Sequence, residues 1–117
     1  MARTTKIDAV SFTGRSGRSY AFRIYVWGTR FKPVAGVYIV ASRSIDPGAA
    51  PTYEPVFIGM AGDLSEILKD HPRSECFEMY YANVVGVLQI DDEQERAAMF
   101  ADLVNGLAPP CNAQDAV

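Results

Sequence analysis

The sequence predicts an α+β domain with a small central antiparallel sheet flanked by helices and an extra N-terminal β-hairpin. Three observations carry this. Apolar and polar residues alternate with period two through residues 9–13 and 20–27, on either side of a Gly/Ser-rich turn. Further β-branched, apolar segments recur at 36–42, 56–60 and 80–90. Stripes of helical period occupy 64–71 and 92–107. Strands joined by short links, with helices after the fourth and fifth, give layers rather than a doubly wound parallel sheet. At 117 residues, 49% of them hydrophobic and with no internal repeat, the chain suits one domain with its own core.

Taken in order, "AVSFT" and "YAFRIYVW" are the hairpin strands, and "GRSGRS" supplies the turn. Alternation places Tyr20, Phe22, Ile24 and Val26 on one face as a core face. Ala21, Arg23, Tyr25 and Trp27 fall on the other, a guanidinium among aromatics that suits either stacking on nucleobases or packing beneath helices. "GTRFKP" breaks the run, and "GVYIVAS" is the third strand. "RSIDPGAAPTYEP" reads as a loop and "VFIGM" as a short fourth strand. Asp63 is the predicted N-cap of a helix whose stripe is Leu64, Ile67, Leu68 and His71, stopped by Pro72. "RSECFEM" reads as a polar connection. "YYANVVGVLQI" is the fifth strand, with Gly86 as a bulge or close-approach site. "DDEQERAAMFADLVNGL" is the clearest helix: Asp92 caps it, Phe100, Leu103, Val104 and Leu107 form its stripe, and Gly106 with Pro109-Pro110 ends it. The tail "NAQDAV" is expected to fray.

The net charge of −3 conceals a split. Residues 1–44 carry eight basic groups against one acid, a net +7, and residues 45–117 carry a net −10. A basic first third can face a polyanion, or it can guard the edges of apolar strands. Cys76 and Cys111 share no CxxC spacing and with the single His71 make a poor zinc set, so two free thiols in a reducing compartment, no metal and no cofactor are expected. "MARTTKID" has no apolar core of a secretory signal and no run approaches the ~18 apolar residues of a membrane span, so a cytoplasmic protein with no membrane partner is the expectation. "GRSGRS" lacks the Lys-Ser/Thr of a P-loop, and one histidine with scattered serines gives no catalytic triad.

"GVY" at Gly36–Tyr38, "FIG" at Phe57–Gly59, "DLSEILKDH" at Asp63–His71 and "PPCN" at Pro109–Asn112 come in the order and spacing of the GIY-YIG nuclease domain, which the chain resembles over roughly residues 33–112. Residues 1–32 are then a basic hairpin added to that core, and 113–117 a tail. The resemblance implies two tripeptides on adjacent strands, a helix with an arginine, a third strand and a helix with a metal-binding glutamate. It also implies a tyrosine that helps activate water, as phosphodiester hydrolysis requires alongside a metal and a fixed cation.

Carried over residue by residue, the first tyrosine falls on Tyr38 and the second on Phe57, which lacks the hydroxyl. The arginine falls on Ile67 and the glutamate on Phe100, while His71 and the closing Asn112 are kept. His71 is expected to bond the last carbonyls of its helix. Lys69 is two positions from Ile67 and so points about 200° away. Ile67 and Phe100 together would fill one dry cleft where arginine and glutamate would sit. The residues thus favour a catalytically inactive GIY-YIG-like domain that binds DNA, RNA or a nucleic-acid-processing protein, through Arg15, Arg18, Arg23, Arg30 and Lys32. Two alternatives stand beside it. One is an active metal-dependent nuclease whose site has moved to Tyr38, His71 and the acids Asp91, Asp92, Glu93 and Glu95. The other is a protein-interaction domain or homodimer, pairing through the hairpin edge without nucleic acid.

Overall fold

In the computed structural model, which describes residues 6–113, five strands form one curled antiparallel sheet in the order β1-β2-β5-β3-β4. The strands are β1 (Asp8–Thr13), β2 (Ser19–Val26), β3 (Gly36–Ser44), β4 (Thr52–Ala61) and β5 (Val84–Gln89). Helices α1 (Leu64–Ile67) and α2 (Ser74–Met79) lie between β4 and β5, and α3 (Glu93–Leu107) and α4 (Pro110–Ala113) follow β5. The α+β class and the N-terminal hairpin are as the sequence predicts. Residues 1–5 and 114–117 lie outside the described residues, and most of the tail expected to fray lies there with them. Among the described residues no helix is long and apolar enough to cross a membrane.

Alternation along the strands sorts the core into two clusters on opposite faces of the sheet. Phe12, Phe22, Ile24, Val37, Ile39 and Leu103 belong to the first, against which α3 lays Met99, Phe100, Val104 and Leu107. Tyr25, Tyr38, Val40, Leu64, Cys76 and Phe77 belong to the second, which α1, α2 and α4 cover. Burying a side chain such as Phe22 or Ile39 contributes roughly 1.5–3 kcal/mol, so the double-sided layering supplies the main favourable term. The sheet curls enough for its two edge strands to meet at one end. There Tyr53 of β4 donates to Asp8 of β1 at 2.6 Å, and Arg43 Nε donates to the same phenol at 2.8 Å.

The hairpin turn is docked on α3. Asp102 accepts from the Ser16 N–H at 2.8 Å, the Ser16 hydroxyl at 2.7 Å and the Tyr20 hydroxyl at 2.8 Å. The approach is tight: a Cβ on Gly106 would lie 2.5 Å from the Arg15 nitrogen. Gly106 therefore serves contact rather than helix termination, and Ala108, at φ 44°, makes the left-handed turn that ends α3. Asp63 and Asp92 cap α1 and α3 as predicted, accepting from the backbone N–H of Ser65 and Glu95. Gly86 is a close-approach site, since a Cβ there would come within 2.9 Å of Ile24.

Several expectations are corrected. The predicted first helix is four residues long, although Leu64, Leu68 and His71 are buried as its stripe required. "RSECFEM" is not merely a connection: Ser74–Met79 is helix α2, which buries Cys76 and Phe77. The fourth strand begins at Thr52 and runs through Pro55, which an edge strand tolerates at its bulge. Cys76 and Cys111 are not free thiols but a disulfide linking α2 to α4. A disulfide persists in oxidising surroundings, so the cysteines give no support to a reducing compartment.

Candidate functional site

Two places bear on function, and both lie on the second face of the sheet. The first surrounds Tyr38. The "GVY" and "FIG" tripeptides occupy β3 and β4, with Tyr38 directly opposite Gly59. A Cβ on Gly59 would lie 2.3 Å from the Tyr38 hydroxyl, so the phenol crosses its neighbour only because that residue is glycine. Phe57, His71 and Phe77 close over it, with ring centroids 6.1 Å (Tyr38–Phe57), 5.7 Å (Tyr38–His71) and 4.8 Å (His71–Phe77) apart. Tyr38 is 2% exposed and His71 5%.

The hydrogen bonds around His71 fix its tautomer. The Arg73 N–H donates to Nδ1 at 3.0 Å, so in the neutral ring the proton sits on Nε2. That proton is donated to the Tyr38 oxygen at 2.7 Å. Burial, with a smaller contribution from Arg73, lowers the histidine to about 4 and holds it neutral. Burial also pushes the Tyr38 phenol above the ordinary tyrosine value. Tyr38 thus accepts a proton bond from a neutral imidazole rather than giving its proton to a base. His71 bonds no carbonyl of its helix, contrary to expectation; it ties β3 to the turn before α2.

Of the other family-equivalent positions, Ile67 packs against this same cluster, whereas Phe100 packs against the cluster on the opposite face. The two do not share a cleft, because α3 lies on the first face and α1 on the second. Asn112 is engaged with the edge strand: its side-chain amide accepts from the Ile58 N–H and donates to the Ile58 carbonyl, both at 2.8 Å. The acids of the proposed migrated site are not brought to Tyr38 and His71. Asp92 caps α3, and Arg96 bonds the carbonyls of Ile90 and Asp91 beside it. Among the described residues no three His, Cys, Asp or Glu side chains converge as a metal site. Around Tyr38, Phe57 and Ile67 offer no carboxylate, and both ring nitrogens of His71 are occupied, so these residues do not fit the divalent cation that the resemblance implies.

The second place is a groove of about 700 Å³ on the outer part of the same face, where the hairpin extends the sheet beyond α1. Arg23 stands in it, paired across the ladder with Ala9 on one side and Val87 on the other. The small Ala9 and Ala21 leave the surface low around the guanidinium. Lys6 and Lys32 complete the cationic rim, Tyr25 and Phe31 form an aromatic wall, and among the described residues no carboxylate lines the groove. The two rings meet edge to face at 5.2 Å. Gln89 also lines it, its Nε2 making a long 3.4 Å bond to Asp91.

The five predicted cations therefore divide. Arg23 and Lys32 meet at the groove, joined by Lys6. Arg15 and Arg18 belong to the turn on α3, where Arg18 lies over the Tyr20 ring at 5.5 Å and shares a hollow with Glu95 and Asp102. Arg30 is exposed in the β2–β3 connection, outside the groove lining. Lys6 and Gln89 went unassigned in the sequence. For Lys6 the sequence carried no signal, because strict alternation three residues before Ala9 would put it on the face opposite Arg23.

The chain was compared with protein-family models, curated proteins and solved structures. It matches none of them.

Proposed function

We propose that the chain is a nucleic-acid-binding module on a GIY-YIG-like framework, with the family's catalytic position absorbed into the core. The observation that carries the binding half is the groove: in a chain of net charge −3, its lining among the described residues has Lys6, Arg23 and Lys32 and no acid. Cations set over an aromatic wall are the features that hold a phosphate backbone and its bases. The framework half is supported by the succession β3, β4, α1, α2, β5, α3, α4, and by "GVY" and "FIG" on neighbouring strands. The inactive half is supported by Tyr38, whose hydroxyl is sealed beneath Phe57 and Phe77 and accepts from His71.

The test is fluorescence anisotropy with labelled DNA and RNA, single- and double-stranded, beginning at low salt. Binding is expected to weaken linearly in log–log form as salt rises. Arg23→Gln with Lys32→Gln should weaken it for every sequence, and Arg15→Gln with Arg18→Gln should not. Absence of binding to all four nucleic acids at low salt overturns the binding half. Magnesium-dependent nicking that disappears in Tyr38→Phe overturns the inactive half.

A further inference from the structure

We infer that the groove takes unpaired nucleotides of a single strand in preference to a duplex, an inference that rests on the binding reading above. The cations ring a concavity and do not stand on a ridge. A duplex presents phosphates on a convex surface, hides the faces of its bases, and is read by an element inserted into its major groove. Among the described residues nothing at this groove is placed to enter a duplex groove in that way: Arg23 rises from the middle of a sheet, between Ala9 and Val87 on the neighbouring strands. A single strand offers the complementary combination of phosphates for the rim and exposed base faces for the wall. Tyr25 is nearly buried and sets the half-buried Phe31 edge to face against it, leaving Phe31 as the ring a base can reach. The volume, about 700 Å³, matches a site for a small ligand or a short stretch of strand. Gln89, carrying both a donor and an acceptor, is placed to meet a base edge.

Three cations at the groove imply a slope of about −2 for log K against log salt on a single strand, at roughly 0.7 per phosphate neutralised. The experiment compares a fifteen-nucleotide single strand with the duplex of the same length, at matched salt, on the full chain. The single strand is expected to bind at least tenfold more tightly. Phe31→Leu, which keeps apolar bulk and removes the ring, should weaken single-strand binding about tenfold. Arg23→Gln should reduce the single-strand slope by roughly 0.7. Equal or tighter duplex binding by the unmodified chain overturns the inference while the binding reading stands; that comparison needs no variant to fold. Single-strand affinity unmoved in a Phe31→Leu protein with native circular dichroism also overturns it. Failure of both probes to bind removes the binding reading itself.

Discussion

Reducing the Cys76–Cys111 disulfide should destabilise the protein by about 3.8 kcal/mol. The figure follows from chain entropy. The bridge joins residues 35 apart in sequence, and closing a loop of that length in the unfolded chain removes about 12.7 cal/mol/K, or about 3.8 kcal/mol at room temperature. For a chain of 117 residues, unfolding entropy near the midpoint is about 250 cal/mol/K, so the melting temperature should fall by about 15 °C. The loop encloses β5 and α3 and ends beside Asn112, which bonds the β4 edge at Ile58. Loss of the bridge therefore loosens α4 as well as relaxing the unfolded chain. The assay is urea unfolding with and without reductant, run in parallel on the double variant Cys76→Ala/Cys111→Ala. Reductant should move the unmodified protein to a lower midpoint and leave the variant where it is. Two titratable thiols in the unreduced, denatured protein, or a midpoint insensitive to reductant, would refute the reasoning.

Two further outcomes follow from the backbone and from His71. At the end of α2 the Tyr81 N–H bonds the Glu78 carbonyl and the Ala82 N–H bonds the Phe77 carbonyl, a Schellman closure with Tyr81 in the left-handed position at φ 58°. Tyr81 is 82% exposed, so Tyr81→Gly loses little packing and should raise stability by about 1 kcal/mol in urea unfolding; a lower midpoint would mean the ring makes contacts that matter. His71 binds a proton less readily in the folded protein than in the unfolded chain. The stability this confers is complete above pH 6.5 and is lost as pH falls toward 4. Between pH 7 and pH 4.5 the loss should be about 2 kcal/mol, and His71→Gln should flatten it. The carboxyls of Asp8 and Asp102, held below their ordinary value by hydrogen bonds, titrate lower still and leave that window to the histidine. An unchanged slope in the variant would show that another group is responsible.

What could be read from the sequence was what local periodicity and capping chemistry determine. The two faces of β2 as far as Tyr25, the caps at Asp63 and Asp92 and the burial of Leu64, Leu68 and His71 are all set by neighbours a few residues away, whereas Val26, expected on the core face, is 55% exposed at the end of its strand. Helix α2 escaped because Arg73, at its N-cap, supplies no side-chain capping bond and six residues are too few to display a period. The disulfide escaped because partners 35 residues apart leave no spacing signal. The groove was half visible: alternation placed Arg23 beside Tyr25, but which cations joined it depended on how the hairpin met β5 and the β2–β3 connection.

The expected pairing of Ile67 with Phe100 fails, and the inactive reading has to stand without it. Its remaining support is a matter of direction. A phenol that helps activate water must part with a proton or share one with solvent. Tyr38 is 2% exposed, and the imidazole beside it, whose Nδ1 is taken by the Arg73 N–H, donates to the phenol rather than accepting its proton. The tripeptides are no counter-argument, because packing alone accounts for them. Gly36 is required because a Cβ would meet the Leu88 carbonyl at 2.4 Å, and Gly59 is required because the Tyr38 ring lies across it. Each motif glycine thus answers to the sheet rather than to a substrate. A pattern that the sheet itself demands says where the strands pair, and chemistry at that place has to be judged from the hydroxyl's own surroundings.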